Sequence, residues 1–429
     1  MSSSMLSQLS NIIPSIKLPF SDFNTPSVKL PRVKTHDVES SQEKPARALK
    51  HLLKLNHVNN AILYNGGVFY NHIPHLLSTA YLLGANAETL NDLYESESQE
   101  LETWTDSPGQ IISADWRYFL GKKEYQRAYV DFFEDEVVRR GYDWRRVVEE
   151  YLCEGEEPLV NSLVSGVGHP LTHLGYAYEI CSREVAMEAL AMAATNYDIV
   201  HTYSDKFHPE QSSSPHQVTS PLDLFERICK DTRLDHIFTA PGYANISILL
   251  NQHSSILTEY LKSLQIPKTG DLTPQFRFIQ QAATALLFGT SENPSDFFFL
   301  HLLTSAHALR VLFSFVPVRH HLSLLRQWYL LAIAVYISQL RPAVNLDRIK
   351  SVDVQGKDWE WVRKRCMSSA QASDAHYIQG IRVLKEMGMT WSDYSRKTGK
   401  EEGWEEGEEF YLKAAVRLIE NFEGWSGFS

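Results

Sequence analysis

The sequence contains no G-x-G-x-x-G fingerprint. The run Ser165-Gly166-Val167-Gly168-His169-Pro170 offers only its first two glycines, in a helical setting. It also lacks a P-loop, a G-x-S-x-G elbow and an H-E-x-x-H motif. A dinucleotide or flavin domain of ordinary build is therefore not expected, nor is a flavin monooxygenase. Cysteine is scarce: Cys153, Cys181, Cys229 and Cys366 are widely spaced with no C-x-x-C, which fits free thiols in a reducing compartment. The start has no basic n-region and no long apolar core before Pro14, so it does not read as a signal peptide. The most apolar run, Trp328 to Leu340, is shorter than the roughly 20 residues that span a bilayer, and reads as a buried helix. Basic stripes are absent and the net charge is −11, which argues against nucleic-acid and anionic-membrane partners. The location expected is cytoplasmic.

Strand signals are also sparse. No hairpin dipeptide flanked by alternating apolar residues stands out, and there is no repeat of fixed period. What remains is helical. Leucines recur at helical spacing from Pro45 onward, Gly84 and Gly141 separate helix pairs, and residues 184–203 form an alanine-rich core helix. Hydrophobic content of 43% over 429 residues is enough for a large core. The fold class expected is all-α, one large compact multi-helix domain over 46–429 with a central His-lined pocket, preceded by an extended arm over 1–45. The Ser/Pro-rich stretch 204–221 exceeds a usual connection and reads as a lid or mobile insertion. The acidic stretch 398–409 reads as a solvated turn.

Histidine is concentrated in four motifs within apolar helices. These are Asn71-His72-Ile73-Pro74-His75, Gly168-His169-Pro170-Leu171-Thr172-His173-Leu174-Gly175-Tyr176, Phe298-Phe299-Leu300-His301 running to His307, and Asp374-Ala375-His376-Tyr377-Ile378-Gln379. Pro74 and Pro170 suit the first turn of a helix, where a missing N–H costs nothing. His75 and His173 then point from first turns into a bundle. A residue before proline is pushed out of the α region, which places His169 at a cap and not on the same face as His173. His301 and His307 lie about 240° apart around a helix, so only one faces a given small site, and His301 is the better interior candidate. Bundle interiors are where side chains from separate helices build metal sites, and imidazole suits iron, copper, nickel or zinc. A neutral histidine also serves as a general base.

These motifs, in this order from about Leu52 to Leu384, resemble the questin oxidase-like family of fungal secondary metabolism. The resemblance implies an oxidoreductase that opens or oxygenates rings of aromatic polyketides such as anthraquinones. The reaction is of Baeyer–Villiger type, uses molecular oxygen, and has Fe(II) and NADPH as candidate cofactors. It implies His75, His173, His301 and His376 as metal ligands, and His72, His169 and Tyr176 as groups behind the ligands or against the substrate. Tyr64 and Asn65 join them as pocket residues. The family's last motif reads His-x-x-Lys, whereas this chain has Gln379, a neutral group that leaves a divalent ion's charge uncompensated and weakens an Fe(II) site. Phe297 to Phe299 and Trp328–Tyr329 are candidate walls for a flat ligand. Two other readings keep the fold: a metal-free acid–base rearrangement, hydrolysis or cyclisation of a polyketide, and a helical binding protein with structural histidines.

Overall fold

A computed structural model describes residues 25–205, 217–399 and 407–428. Among them the chain forms eighteen α-helices and a single two-stranded hairpin. The all-α expectation holds. The two proline-led motifs start helices where expected: Ile73–Leu82 and His169–Ile180 each carry proline in the first turn. Aspartates cap the other two site helices. Asp296 accepts from the amides of Phe298 and Phe299 to start Phe297–Leu312, and Asp374 accepts from those of His376 and Tyr377 to start Ala375–Thr398.

These four helices are the inner frame. Ile73–Leu82 packs on His169–Ile180 and on Ala375–Thr398, and Phe297–Leu312 packs on the same two. Gly175 permits the close approach of His169–Ile180 to Phe297–Leu312, since a Cβ there would sit 3.2 Å from that of Ala308. Outside the frame, the alanine-rich helix Arg183–Thr195 is buried from Glu184 to Thr195. Helix His321–Ser338 is buried throughout its second half, with Trp328 and Tyr329 in the core. Trp328 donates to the Leu302 carbonyl at 3.1 Å. No described helix is long and apolar enough to cross a membrane.

The sequence reading missed the hairpin. Leu63–Tyr64 pairs antiparallel with Phe69–Tyr70 across a four-residue loop, 65–68, that opens with Asn65-Gly66. Both turn residues have positive φ, 51° and 65°, and the Gly67 amide bonds the Tyr64 carbonyl at 3.1 Å, the geometry of a type I′ turn. Strands of two residues are too short to show alternation, so the Asn-Gly signal stood without its flanks. Asn65 is exposed at this turn, where its role is conformational and not that of a pocket residue.

The arm runs extended over residues 28–37, pinned by inward bonds. The Val28 amide donates to His321 Nδ1, the Val33 amide to Ser314 Oγ, and the His36 amide to the Glu179 carbonyl. Its first 24 residues, most of the 204–221 loop and the centre of the acidic turn lie outside the described residues.

Candidate metal centre

Four imidazoles, of His72, His169, His301 and His376, bring one nitrogen each within 4.8 Å of the others. The expected quartet is thus half corrected. His301 and His376 converge as foreseen, but their companions are His72 and His169, not His75 and His173. The reason is local. His169 adopts helical φ −59°, ψ −46° although proline follows, and is the first residue of its helix. That conformation is delivered by three successive left-handed residues, Gly166, Val167 and Gly168, with φ of 59°, 58° and 82°. Positive φ is costly for a β-branched valine, so strain is held beside the site. Gly166 is needed because a Cβ would lie 2.1 Å from the Tyr70 hydroxyl.

The turn presents the Gly166 carbonyl to His169 Nδ1 at 2.6 Å, and the Phe297 carbonyl meets His301 Nδ1 at 2.8 Å. A carbonyl only accepts, so both imidazoles carry their proton on Nδ1 and turn a bare Nε2 inward. These two Nε2 atoms face each other at 3.4 Å, and His72 Nε2 lies 3.1 Å from that of His169. The buried Nε2 of His376 has no hydrogen-bond partner. Burial, first among the causes, holds His72 near pKa 3 and His301 near 4, and holds His169 and His376 well below the usual value. Lone pairs of neutral rings converge where a cation would relieve their repulsion. Ions with metal–nitrogen bonds of roughly 2.0–2.1 Å separate their ligands by about 3.0 Å at right angles and about 3.4 Å at tetrahedral angles, so the cluster fits a metal.

Around it, Tyr70 stacks on His169 with ring centres 3.8 Å apart and donates to Asn196 Oδ1 at 2.7 Å. Phe297 covers His301 and His376 at 4.5 and 4.6 Å. The C-terminal segment straps this edge: the Phe297 amide donates to the Ser426 carbonyl, and Trp425 Nε1 to Asp374 Oδ2 at 2.7 Å. The strap lies beyond the histidine motifs, and no pattern marked it.

His75 and His173 form an outer layer. His75 Nε2 meets His173 Nδ1 at 3.2 Å, His173 Nε2 meets Glu188 at 2.9 Å, Glu188 meets His57 Nδ1 at 2.8 Å, and His57 Nε2 meets Glu134 at 3.0 Å. This chain links a partly exposed carboxylate to a ring that sits edge-on to His72, centres 5.3 Å apart. Tyr176 stacks on His75 and shares a 2.6 Å hydrogen bond with Thr79; the buried Gln379 is a further partner of its hydroxyl. His307, as its spacing foretold, faces elsewhere, 3.7 Å from Glu179. Sequence reasoning missed His57, Glu134 and Glu188. The signal for Glu188 was present: an acid inside a buried alanine-rich helix.

Residues 69–384 match the questin oxidase-like family model. The chain belongs to the questin oxidase-like family. It is 25% identical over 380 residues to a Baeyer-Villiger oxidase of Pestalotiopsis microspora, covering 80% of this chain and 81% of that one. It is 30% identical over 260 residues to an oxidoreductase of Aspergillus parasiticus, covering 56% and 51%. Over 198 residues it is 24% identical to a questin oxidase of Aspergillus terreus, covering 44% of each. The questin oxidase-like chain described here is an oxidoreductase. A non-enzymatic binding role is set aside.

Proposed function

We propose that this enzyme inserts oxygen into, or opens, a ring of an aromatic polyketide such as an anthraquinone, at a divalent metal held by His72, His169, His301 and His376. The observation that carries the reading is the convergence of four ring nitrogens, two of them, on His169 and His301, Nε2 lone pairs whose Nδ1 protons are tied to backbone carbonyls. Iron(II) suits an all-imidazole set and supplies oxygen activation when bound. Insertion of one oxygen atom leaves the other to be reduced to water by two electrons from an external reductant, for which NADPH is the candidate.

The protein's own groups do the rest. Carbonyl bonds fix the ring orientations of His169 and His301 before any ligand arrives. Phe297 offers an aromatic face beside His301 and His376, against which a flat substrate stacks. His376, Phe297 and His169 all lie at or near the starts of their helices, whose positive ends favour an anionic group, such as a phenolate, at the same place. His75, tied through His173 to Glu188, holds a proton position one ring behind His72.

The test is metal analysis of purified protein, followed by anaerobic reconstitution with Fe(II) and turnover of an anthraquinone under oxygen. One equivalent of metal is expected in wild type, close to none in His169→Ala, and near wild-type content in His173→Ala. Equal loss in both variants, or full turnover without metal, sinks the assignment; the latter selects acid–base chemistry by the same histidines.

A further inference from the structure

A second cavity, of about 500 Å³, lies between the arm at Pro31–His36 and the outer faces of helices Phe297–Leu312 and Ala375–Thr398. It is separate from the metal centre: Arg382 on its wall sits 5.8 Å above the Tyr176 ring, and Tyr176 in turn stacks on His75. Five lysine or arginine side chains line it against three carboxylates, in a chain whose net charge is −11.

Its inner end is built from buried cations with unspent donors. Arg382 is 2% exposed and pairs through Nη2 with Glu179, while its Nε and Nη1 have no partner. Arg310 is 7% exposed; its Nη2 donates to the Pro31 carbonyl at 2.6 Å and its Nε has no partner. His307, one turn before Arg310, has no hydrogen bond at Nδ1, and its Nε2 lies 3.7 Å from Glu179, a carboxylate already held by Arg382. Glu179 is committed to Arg382, and among the described residues Arg310 has no carboxylate within salt-bridge distance. A guanidinium held mostly out of water with only a carbonyl for company is costly unless an anion joins it. Burial lowers the Arg310 pKa to about 10, and the Glu386 carboxylate on the same wall offsets this only in part. Leu82, Val33 and Met389 add an apolar stretch to a wall that is otherwise mostly polar. A volume of this size suits a small molecule, and planar guanidinium groups suit the two oxygens of a carboxylate.

We propose that this cavity binds a small organic carboxylate, an acid with an apolar body, whose anionic group lies between Arg310, His307 and Arg382. Ring-opening oxidation of a cyclic ketone and hydrolysis of the resulting ester generate molecules of this kind, but the site is inferred from its own residues and does not depend on the metal assignment.

The probe is 2-naphthoate, followed by its own fluorescence on titration with full-length protein. Saturable binding of one equivalent is expected. Arg310→Gln keeps a donor for the Pro31 carbonyl and removes the charge; it should weaken binding by at least about tenfold, because one partner of a buried charged pair is lost. His307→Phe, which removes the ring nitrogens while keeping an aromatic ring, serves as the second variant should the first fail to fold, and should weaken binding severalfold. The neutral 2-naphthalenemethanol should bind at least about tenfold more weakly than the acid. His376→Ala should bind 2-naphthoate as wild type does. The proposal is overturned by absence of saturable binding to wild type, by equal affinity in Arg310→Gln and His307→Phe, or by loss of binding in His376→Ala, which would move the ligand to the metal centre. Displacement of 2-naphthoate by equimolar inorganic phosphate also overturns it, since the site would then select charge alone.

Discussion

Replacing Glu188 by glutamine tests whether the carboxylate–imidazole chain behind the metal centre is a charged unit. Glu188 is 1% exposed and bridges His57 and His173. Burial alone would lower the pKa of His57, but its hydrogen bonds to Glu134 and Glu188 outweigh this and raise it to about 10. His57 is therefore an imidazolium at neutral pH, and Glu188, with its pKa lowered despite burial through bonds to His173 and His57, is its buried counter-ion. Removing one partner of such a pair costs roughly 3–5 kcal/mol. Unfolding entropy of roughly 2.1 cal/mol/K per residue over 429 residues gives about 0.9 kcal/mol per degree. Glu188→Gln should thus lower the thermal midpoint by about 3–6 °C at pH 7.

The pH dependence has a definite sign. The folded pKa of His57 lies above its unfolded value near 6.5, so its contribution is complete below about pH 6.5 and is lost as pH rises towards 10. Its full size is roughly 5 kcal/mol, or about 5 °C. Calorimetry of wild type from pH 6 to 10 should show this decline, with a much smaller one in His57→Gln and in Glu188→Gln. A wild-type midpoint that stays flat over that range, or falls equally in all three proteins, refutes the charged-unit account.

Three further outcomes follow from the same geometry. Gly166→Ala forces a side chain at φ 59° into the Tyr70 hydroxyl, so it should cost at least about 1–2 kcal/mol and reduce metal content together with stability, read by calorimetry and metal analysis. Asp374→Ala removes both the cap of the helix carrying His376 and the acceptor of Trp425 and should cost about 2 kcal/mol, whereas Asp374→Asn keeps the cap oxygen, loses only the Trp425 bond and should cost about 1 kcal/mol, both read by calorimetry. Gln379→Lys buries an amine beside Tyr176 and should lower the midpoint unless the amine loses its charge; if wild type already holds stoichiometric iron and the variant alters neither metal content nor product, the neutral glutamine is no handicap to the metal.

Helix placement was legible because caps and prolines act locally. Pro74, Pro170, Asp296 and Asp374 each start a helix, and periodic leucine and alanine fix the buried faces. The hairpin at Asn65-Gly66 was not, because two-residue strands carry no alternation. The chemistry of the site was legible as histidine in four apolar motifs, yet the choice among six rings was not. His169 precedes proline and was expected outside the helix; three left-handed residues before it, fixed by contacts with Tyr70 and Ser305, bring it in. His72 was expected behind the ligands or against the substrate, but it stands at the N-cap of its helix and turns Nε2 towards His169.

What separates the two layers of histidine is the partner of the second ring nitrogen. His169 and His301 are backed by backbone carbonyls, which fix a neutral tautomer with an inward lone pair, the state a metal requires. His57 is backed by two carboxylates, which hold it as a cation no metal would accept, and His173 spends one nitrogen on Glu188 and the other on His75. A carbonyl donated by the backbone leaves no mark in a sequence, so a ligand histidine and a core histidine read alike. A carboxylate does leave one: Glu188 stands alone among Ala186, Met187, Ala189 and Leu190, and an acid in so apolar a helix requires a buried base. Finding that base assigns His173 and His57 to the outer layer, and by elimination moves His169 to the inner one.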